Sequence, residues 1–283
     1  MSPTLEITFM GTGTSHGVPM IGCDCRTCRS EDPRDKRNRA SVSIRVKPDR
    51  AESAPPTAAV PHREAADDEA VLLIDTPPEL RLAAIATSLS RVDAVLITHA
   101  HADHILGMDD LRRYNDLRGG PIDVYGAADS ITIIRKVFGY AEAPYDNFDR
   151  PSLRFREMAG AICAAGVGVT PVPLVHGQRM ILGYRIGPVA YCTDCSAIPP
   201  ASWPLLEDLE LLILGCLRYT PHPAHFNVEG ALATIERLGP RRTLLTHIAH
   251  EIGHAELSAR LPDNIQPAFD GQRVELLGLQ ASR

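Results

Sequence analysis

The stretch THAHADH, Thr98 to His104, follows directly on the apolar run AVLI at residues 94–97. Within it, three imidazoles and a carboxylate (His99, His101, Asp103 and His104) crowd the end of a strand that reads as buried. A packing role gains nothing from so many ionisable groups, because each must be stripped of water at that place. Neutral imidazoles and carboxylates are instead the ligands expected of zinc, manganese or iron at hydrolytic sites. The four side chains are therefore candidate metal ligands.

Working outward, other short apolar runs end in the same way. TPVPLVH closes on His176, VAYCTD on Asp194 and TLLTH on His247. The runs LEITFMG, SVSIRV, AVLLID, IDVYG and LELLILGCL read as further strands. PELRLAAIATSLS and VEGALATIERLG have helical spacing. Strands alternating with helices predict a layered α/β or α+β architecture, with no repeat of short fixed period. In such folds the ligand site commonly lies beyond the strand ends, where these polar residues fall. The segment 48–70 is rich in Ala, Pro and charge with no periodic apolar face, which predicts a mobile surface insertion.

A chain of 283 residues with 44% hydrophobic and 23% charged residues is that of an ordinary globular protein and not a wholly disordered one. The net charge of −6 supplies no overall basic field, so a nucleic-acid partner would need a local patch. The N-terminal residues show no basic leader followed by an apolar run, and no apolar segment is long enough to cross a bilayer. A cytoplasmic protein with no membrane partner is expected.

Seven cysteines in a reducing compartment read as metal ligands, nucleophiles or buried small residues rather than as disulfides. Cys23, Cys25 and Cys28 lie together in IGCDCRTCRS, with no fourth cysteine at a matching spacing. The pair in CTDC, Cys192 and Cys195, encloses Asp194 and reads as small buried residues beside it, while Cys163 and Cys216 carry no pattern. The loop GTGTSHG at 11–17 is not a dinucleotide cradle, since no third glycine opens a helix at the required spacing. His16 within it reads as a polar loop residue.

The pattern His-x-His-x-Asp-His after a buried strand resembles the metallo-β-lactamase-fold hydrolases. That resemblance implies a four-layer αββα sandwich of two mixed sheets flanked by helices, one domain over 1–283 carrying the 48–70 insertion. It implies one divalent ion on His99, His101 and His176, a second on Asp103, His104 and His247, and Asp194 bridging both. Two cations about 3.5 to 4 Å apart repel unless a carboxylate and a hydroxide lie between them, and the bridging hydroxide is the implied nucleophile. Histidine at 101, where some redox members carry glutamate, favours a hydrolase.

Together, GTGTSHGVPMIGCDCRTC, THAHADH and THIAH resemble a narrower branch, the phosphoribosyl cyclic phosphodiesterases of bacterial phosphonate degradation, and more distantly the tRNA 3′-end processing endonucleases. The resemblance spans nearly the whole chain outside the insertion. It implies a structural zinc on Cys23, Cys25, Cys28 and His250, a closed tetrahedral set without an open position. It also implies a dimer, and His225, preferred to His222, as the general acid ahead of a helix capped by Asn227.

The expected activity is binuclear metal-dependent hydrolysis of a small cyclic or nucleotide-like phosphodiester, with His225, Asp194 and Asp103 at the reaction centre. Zinc, manganese or iron would each suit the ligands. RNA ranks second as a substrate, because the chain is acidic and shows no basic glycine-rich arm. A lactone or thioester remains an alternative, since one fold serves many bonds. A non-catalytic binding protein would not require seven ligand positions and a candidate acid.

Overall fold

In the computed structural model, residues 3–47, 69–142 and 150–276 are described. All but the last two residues of the expected insertion at 48–70 lie outside them. Two seven-stranded sheets form among the described residues. The first contains β1 (Thr4–Gly11), β2 (Ser41–Lys47), β3 (Ala70–Ile74), β4 (Ala94–Leu96), β5 (Ile122–Gly126), β6 (Leu153–Glu157) and β14 (Arg273–Leu276), in the order β14-β1-β2-β3-β4-β5-β6. The second contains β7 (Ile162–Ala164), β8 (Val167–His176), β9 (Arg179–Ile186), β10 (Val189–Cys192), β11 (Leu211–Gly215), β12 (Arg242–Thr246) and β13 (Ile265–Pro267), in reverse sequence order. Both are mixed: β3 to β6 run parallel, as do β10 to β13, while the remaining neighbours pair antiparallel.

The near-continuous apolar runs follow from burial on both faces of these strands. Along β3, Leu72 and Ile74 enter the core between the sheets, whereas Leu73 faces the outer helices. Along β11, Leu211 and Ile213 face the opposite sheet, and Leu212 and Leu214 face outward into a third cluster. Each such leucine or isoleucine is fully buried, contributing about 1.5 to 3 kcal/mol. Alternation with period two thus divides one apolar strand between two cores.

The outer layers are helical. Over the first sheet lie α1 (Leu80–Thr87), α2 (Ala102–Ile105), α3 (Arg112–Arg118) and α4 (Ala128–Phe138), which supply Leu80, Ile105, Tyr114 and Ile131 to that core. Over the second lie α5 (Val228–Leu238) and α6 (His254–Ser258), supplying Ala231, Ile235 and Leu257. As its sequence predicts, α5 starts at Asn227, whose side chain accepts from the Gly230 amide, and it stops at Gly239 in the left-handed conformation. The result is the αββα sandwich expected of the metallo-β-lactamase fold. No helix among the described residues is long and apolar enough to cross a membrane.

Candidate metal centre

The segment THAHADH does not continue as a strand. β4 stops at Leu96, the Thr98 amide donates to Asp75 Oδ1 at 2.8 Å, and α2 begins at Ala102 with Asp103 in its first turn. The four candidate ligands are therefore spread over a strand exit, a turn and one helical turn, so their side chains converge on one rim. His176 is the last residue of β8, opposite Arg179 across a tight turn. Asp194 and His247 follow the ends of β10 and β12.

Two groups result. The ligand nitrogens of His99, His101 and His176 lie within 4.8 Å of one another. So do the ligand atoms of Asp103, His104, Asp194 and His247. In the second group His104 Nε2 stands 3.4 Å from both Asp103 and Asp194, and His247 Nε2 is 3.0 Å from Asp194 Oδ2. The structure thus brings together all seven positions proposed from sequence, with Asp194 buried among them.

The donor set fits two divalent cations. His104 Nε2 and His247 Nε2 face carboxylate oxygens without hydrogen-bond geometry, as nitrogens and oxygens converging on a shared cation would, and His247 Nδ1 is buried with no partner, which costs about 1 to 3 kcal/mol. Elsewhere the second ring nitrogen is engaged, as metal-binding histidines require. His176 Nδ1 donates to the Ala224 carbonyl at 3.0 Å, and His104 Nδ1 donates to Asp75 Oδ2 at 2.7 Å. His99 Nδ1 lies 3.0 Å from Thr98 Oγ1, whose hydroxyl donates to the same Asp75 oxygen at 2.8 Å. One buried carboxylate therefore fixes one histidine in each group. Sequence patterning does not single out Asp75, although an acidic residue closing the run AVLLID repeats the pattern of the other strand ends.

Charge follows the same division. Burial, reinforced by His104, holds His99 well below its ordinary value and therefore neutral. Burial also opposes charge on His104, but the Asp194 and Asp75 carboxylates outweigh it and draw that ring upward. Against its own burial, Asp194 is held ionised by His247 and His104. The rim is accordingly a place where anionic oxygens gather a cation.

His225 stands at the mouth of both groups. Its ring stacks on His247 at 4.8 Å and meets His176 edge-on at the same distance. A ligand atom of His225 lies within 4.8 Å of those of His176 and Asp194. The ring is placed by its neighbour Phe226, whose amide donates to Cys195 O and whose carbonyl accepts from Leu217. Burial, then the nearby His247, pushes His225 down to about 3. His222 lies one ring further out, 5.0 Å from His225, with its Nδ1 accepting from the Ala224 amide. His16 is exposed.

The cysteine cluster forms a separate group. Cys23 Sγ and Cys25 Sγ each lie 3.3 Å from His250 Nδ1, and Cys28 completes a set within 4.8 Å. Burial resists ionisation of Cys25, yet hydrogen bonds from the Cys28 amide and the His250 ring bring it down to about 6. Around the group, Arg37 donates to Ala249 O at 3.1 Å and Asp35 accepts from the His254 amide at 2.7 Å. The N-terminal excursion is thus tied to the loop that leaves β12 through His247. Cys192, Cys195 and Cys216 are buried in the outer core of the second sheet, and Cys163 is exposed.

Two mixed sheets between helical layers, with histidine and aspartate gathered at one rim, define the metallo-β-lactamase fold, an architecture of metal-dependent hydrolases. The chain belongs to the beta-lactamase superfamily, whose domain profile matches residues 71–248. It is similar to the crystal structure of a diphosphatase from the PhnP family, at 35% identity and a TM-score of 0.82 over 96% of this chain and 97% of that one. The short form of human tRNase Z shares the fold at 15% identity, with a TM-score of 0.62 over 95% of this chain and 98% of that one. A Porphyromonas gingivalis protein named octanoyltransferase is 35% identical over 273 residues, covering 94% of this chain and 51% of that protein. The chain thus spans about half the length of this curated relative.

Proposed function

We propose that the protein is a binuclear metal-dependent phosphodiesterase acting on a small cyclic or nucleotide-like phosphate ester. The observation that carries this reading is the convergence of His225 on the two candidate ligand groups, which supplies a proton donor beside a dication site. His99, His101 and His176 would hold one ion, Asp103, His104 and His247 the other, and Asp194 would face both. When bound, the ions supply Lewis acidity and lower the pKa of coordinated water toward neutrality.

The chain's own groups do the remainder. Asp75 and Thr98 orient His99 and His104, and Ala224 orients His176. His225 delivers the proton that the departing alkoxide needs. Its depressed pKa leaves it neutral in the bare site, and an anionic phosphate beside the ring opposes that depression. Cys23, Cys25, Cys28 and His250 would hold a structural zinc that fastens the His247 loop. Likeness to the PhnP-family diphosphatase supports phosphoester chemistry, the donor set suits zinc or manganese, and the resemblance noted in the sequence is our ground for reading a cytoplasmic dimer.

RNA is the weaker substrate, since likeness to tRNase Z rests on the fold alone. The relative named octanoyltransferase adds acyl chemistry to the bonds worth offering, although half of that protein lies outside the match. Purified metal-loaded protein should therefore be given a chromogenic phosphodiester, a cyclic ribose phosphate, a precursor tRNA, a lactone and an octanoyl thioester. His225→Ala should keep its metals and lose about 100- to 10,000-fold in phosphodiester turnover. Full activity of that variant, or hydrolysis of only the lactone or thioester, refutes the proposal.

A further inference from the structure

Away from the metal centre the described residues form a cavity of about 410 Å³, within the size range of small-molecule sites. Its lining comes from α6, from β13 at the edge of the second sheet, and from the turn that leads to β14. None of the candidate metal ligands lines it, nor does His225. One part of the wall is apolar, made by Leu261, Pro262, Ile265 and Pro267.

The rest of the wall offers hydrogen-bond donors that the protein itself does not use. Gln272 accepts from the Phe269 amide through Oε1 at 3.2 Å, and Gln266 accepts from Arg242 through Oε1 at 3.3 Å. In both, the amide nitrogen is left without a partner among the described residues. Arg34 engages Asp32 through Nε and Nη2 and leaves Nη1. His254 is the least expected member. Only 5% of it is exposed, its ring stands edge-on to Phe269 at 5.7 Å, and its Nδ1 has no hydrogen-bond partner. A polar group stranded in this way costs about 1 to 3 kcal/mol, and a phenylalanine would fill the place without that cost. Burial, with Arg34 and Arg37 nearby, pushes the ring down to about 4, so at neutral pH it is uncharged and offers one N–H. Donors are thus in excess on this wall, since its single carboxylate, Asp263, is exposed. A peptide strand is a poor occupant: along β13 the Ile265 amide already donates to Pro262 O, and Pro267 has no N–H to offer.

We propose that this cavity binds a small organic acid, its carboxylate taken by Gln266, Gln272, Arg34 and His254 and its apolar body lying on the wall of Leu261, Pro262, Ile265 and Pro267. The inference stands apart from the phosphodiesterase reading, because it concerns other residues and is measured by binding rather than turnover.

The test is a titration of zinc-loaded protein with sodium hexanoate, and with 1-hexanol as the same apolar body without a charge, followed by nuclear magnetic resonance of the His254 and Phe269 rings. Hexanoate should shift both rings to saturation, and hexanol should bind at least about tenfold more weakly. Gln266→Glu keeps the acceptor for Arg242 and sets a second carboxylate against the ligand, so it should weaken hexanoate at least about tenfold and leave hexanol within about twofold. His254→Phe keeps the ring contact and removes both nitrogens, so it should weaken hexanoate about tenfold, read at Phe269, without lowering the melting temperature. Shifts that grow linearly with hexanoate overturn the site, as do shifts confined to the candidate metal ligands. Equal affinity for hexanol and hexanoate overturns the acid class. A hexanoate constant unchanged in either variant overturns the place assigned to the carboxylate.

Discussion

Replacing Asp75 by asparagine keeps the shape of a fully buried side chain and removes its charge. The carboxylate accepts three hydrogen bonds: from the Thr98 amide on Oδ1, and from the Thr98 hydroxyl and His104 Nδ1 on Oδ2. An amide offers one acceptor oxygen, so one side must meet an N–H with an N–H. Facing the two donors with the carbonyl is the better orientation, leaving the Thr98 amide unpaired at a cost of about 1 to 3 kcal/mol. Domains of this kind are stable by about 5 to 15 kcal/mol, so the variant should fold. Without the negative charge His104 is a poorer base, and metal affinity should fall by about 10- to 100-fold, the usual effect of removing a partner behind a ligand. Competition with a chromophoric chelator measures the affinity, and urea denaturation measures the fold. A variant that loses stability while binding its first ion as tightly as wild type would refute the idea that Asp75 serves the metal site.

Gly215 ends β11 against Asp194, and a Cβ there would fall 2.9 Å from the Asp194 amide, so Gly215→Ala should displace that carboxylate and lower metal stoichiometry together with the melting temperature. Wild-type metal content in that variant would show that the close approach is not needed. Cys25→Ala should lose the zinc of the thiolate group and melt earlier while the rim keeps its ions; unchanged zinc content and stability would sink the structural clip. Burial pushes Asp270 up to about 7, although it accepts from the Asn38 amide and the Thr12 hydroxyl. Above the unfolded value of about 4 the unfolded chain releases this proton while the folded chain keeps it, so wild type should lose stability relative to Asp270→Asn between about pH 4 and 7 and no further above that. Parallel pH profiles of urea stability for the two proteins would contradict this.

Much of the site was legible because its ligands close apolar runs, and a strand end is a definite place in a layered fold. His99 could be read in this way from residue type and position alone, whereas the ends of the later runs pointed only to a site and the family resemblance made His176, Asp194 and His247 its ligands. Their partition into two groups, and the joining of His250 to three cysteines more than 200 residues earlier, came from family resemblance, since no local pattern encodes a contact across the chain. Several strands escaped the reading for a physical reason. LRFRE in β6 and RVEL in β14 lie at sheet edges, where only one face is buried and charged residues are tolerated on the other. RMILGYRI in β9 begins with exposed residues at the rim, which interrupt its alternation. Thr98 and Asp75 act through hydrogen bonds to other side chains, and spacing along the sequence carries no trace of these.

The backbone explains why strand ends serve so well here. Asp75, Asp194 and His247 all have φ between +56° and +63°, the left-handed region that side-chain-bearing residues seldom adopt. Each follows a parallel strand of the sandwich, and each turns the chain sharply as it leaves the sheet. Conformations of this kind cost about 1 to 3 kcal/mol apiece and persist only where the surroundings dictate them. The surroundings are the strands themselves: Ile74, Cys192 and Leu245 just behind these positions are fully buried, so the sheets cannot relax to relieve the turn. Glycine would adopt the same backbone without strain but would bring no ligand. Strain is thus accepted where a carboxylate or imidazole must stand at a fixed place, and the rigid sheets hold two groups of the second ion position, Asp194 and His247, together with Asp75, which backs a third, His104. His101 and His225, by contrast, sit on short loops held by side-chain contacts and by the anchored Phe226. The sheets therefore set where the more anionic position lies, while a loop carries His225, the candidate proton donor.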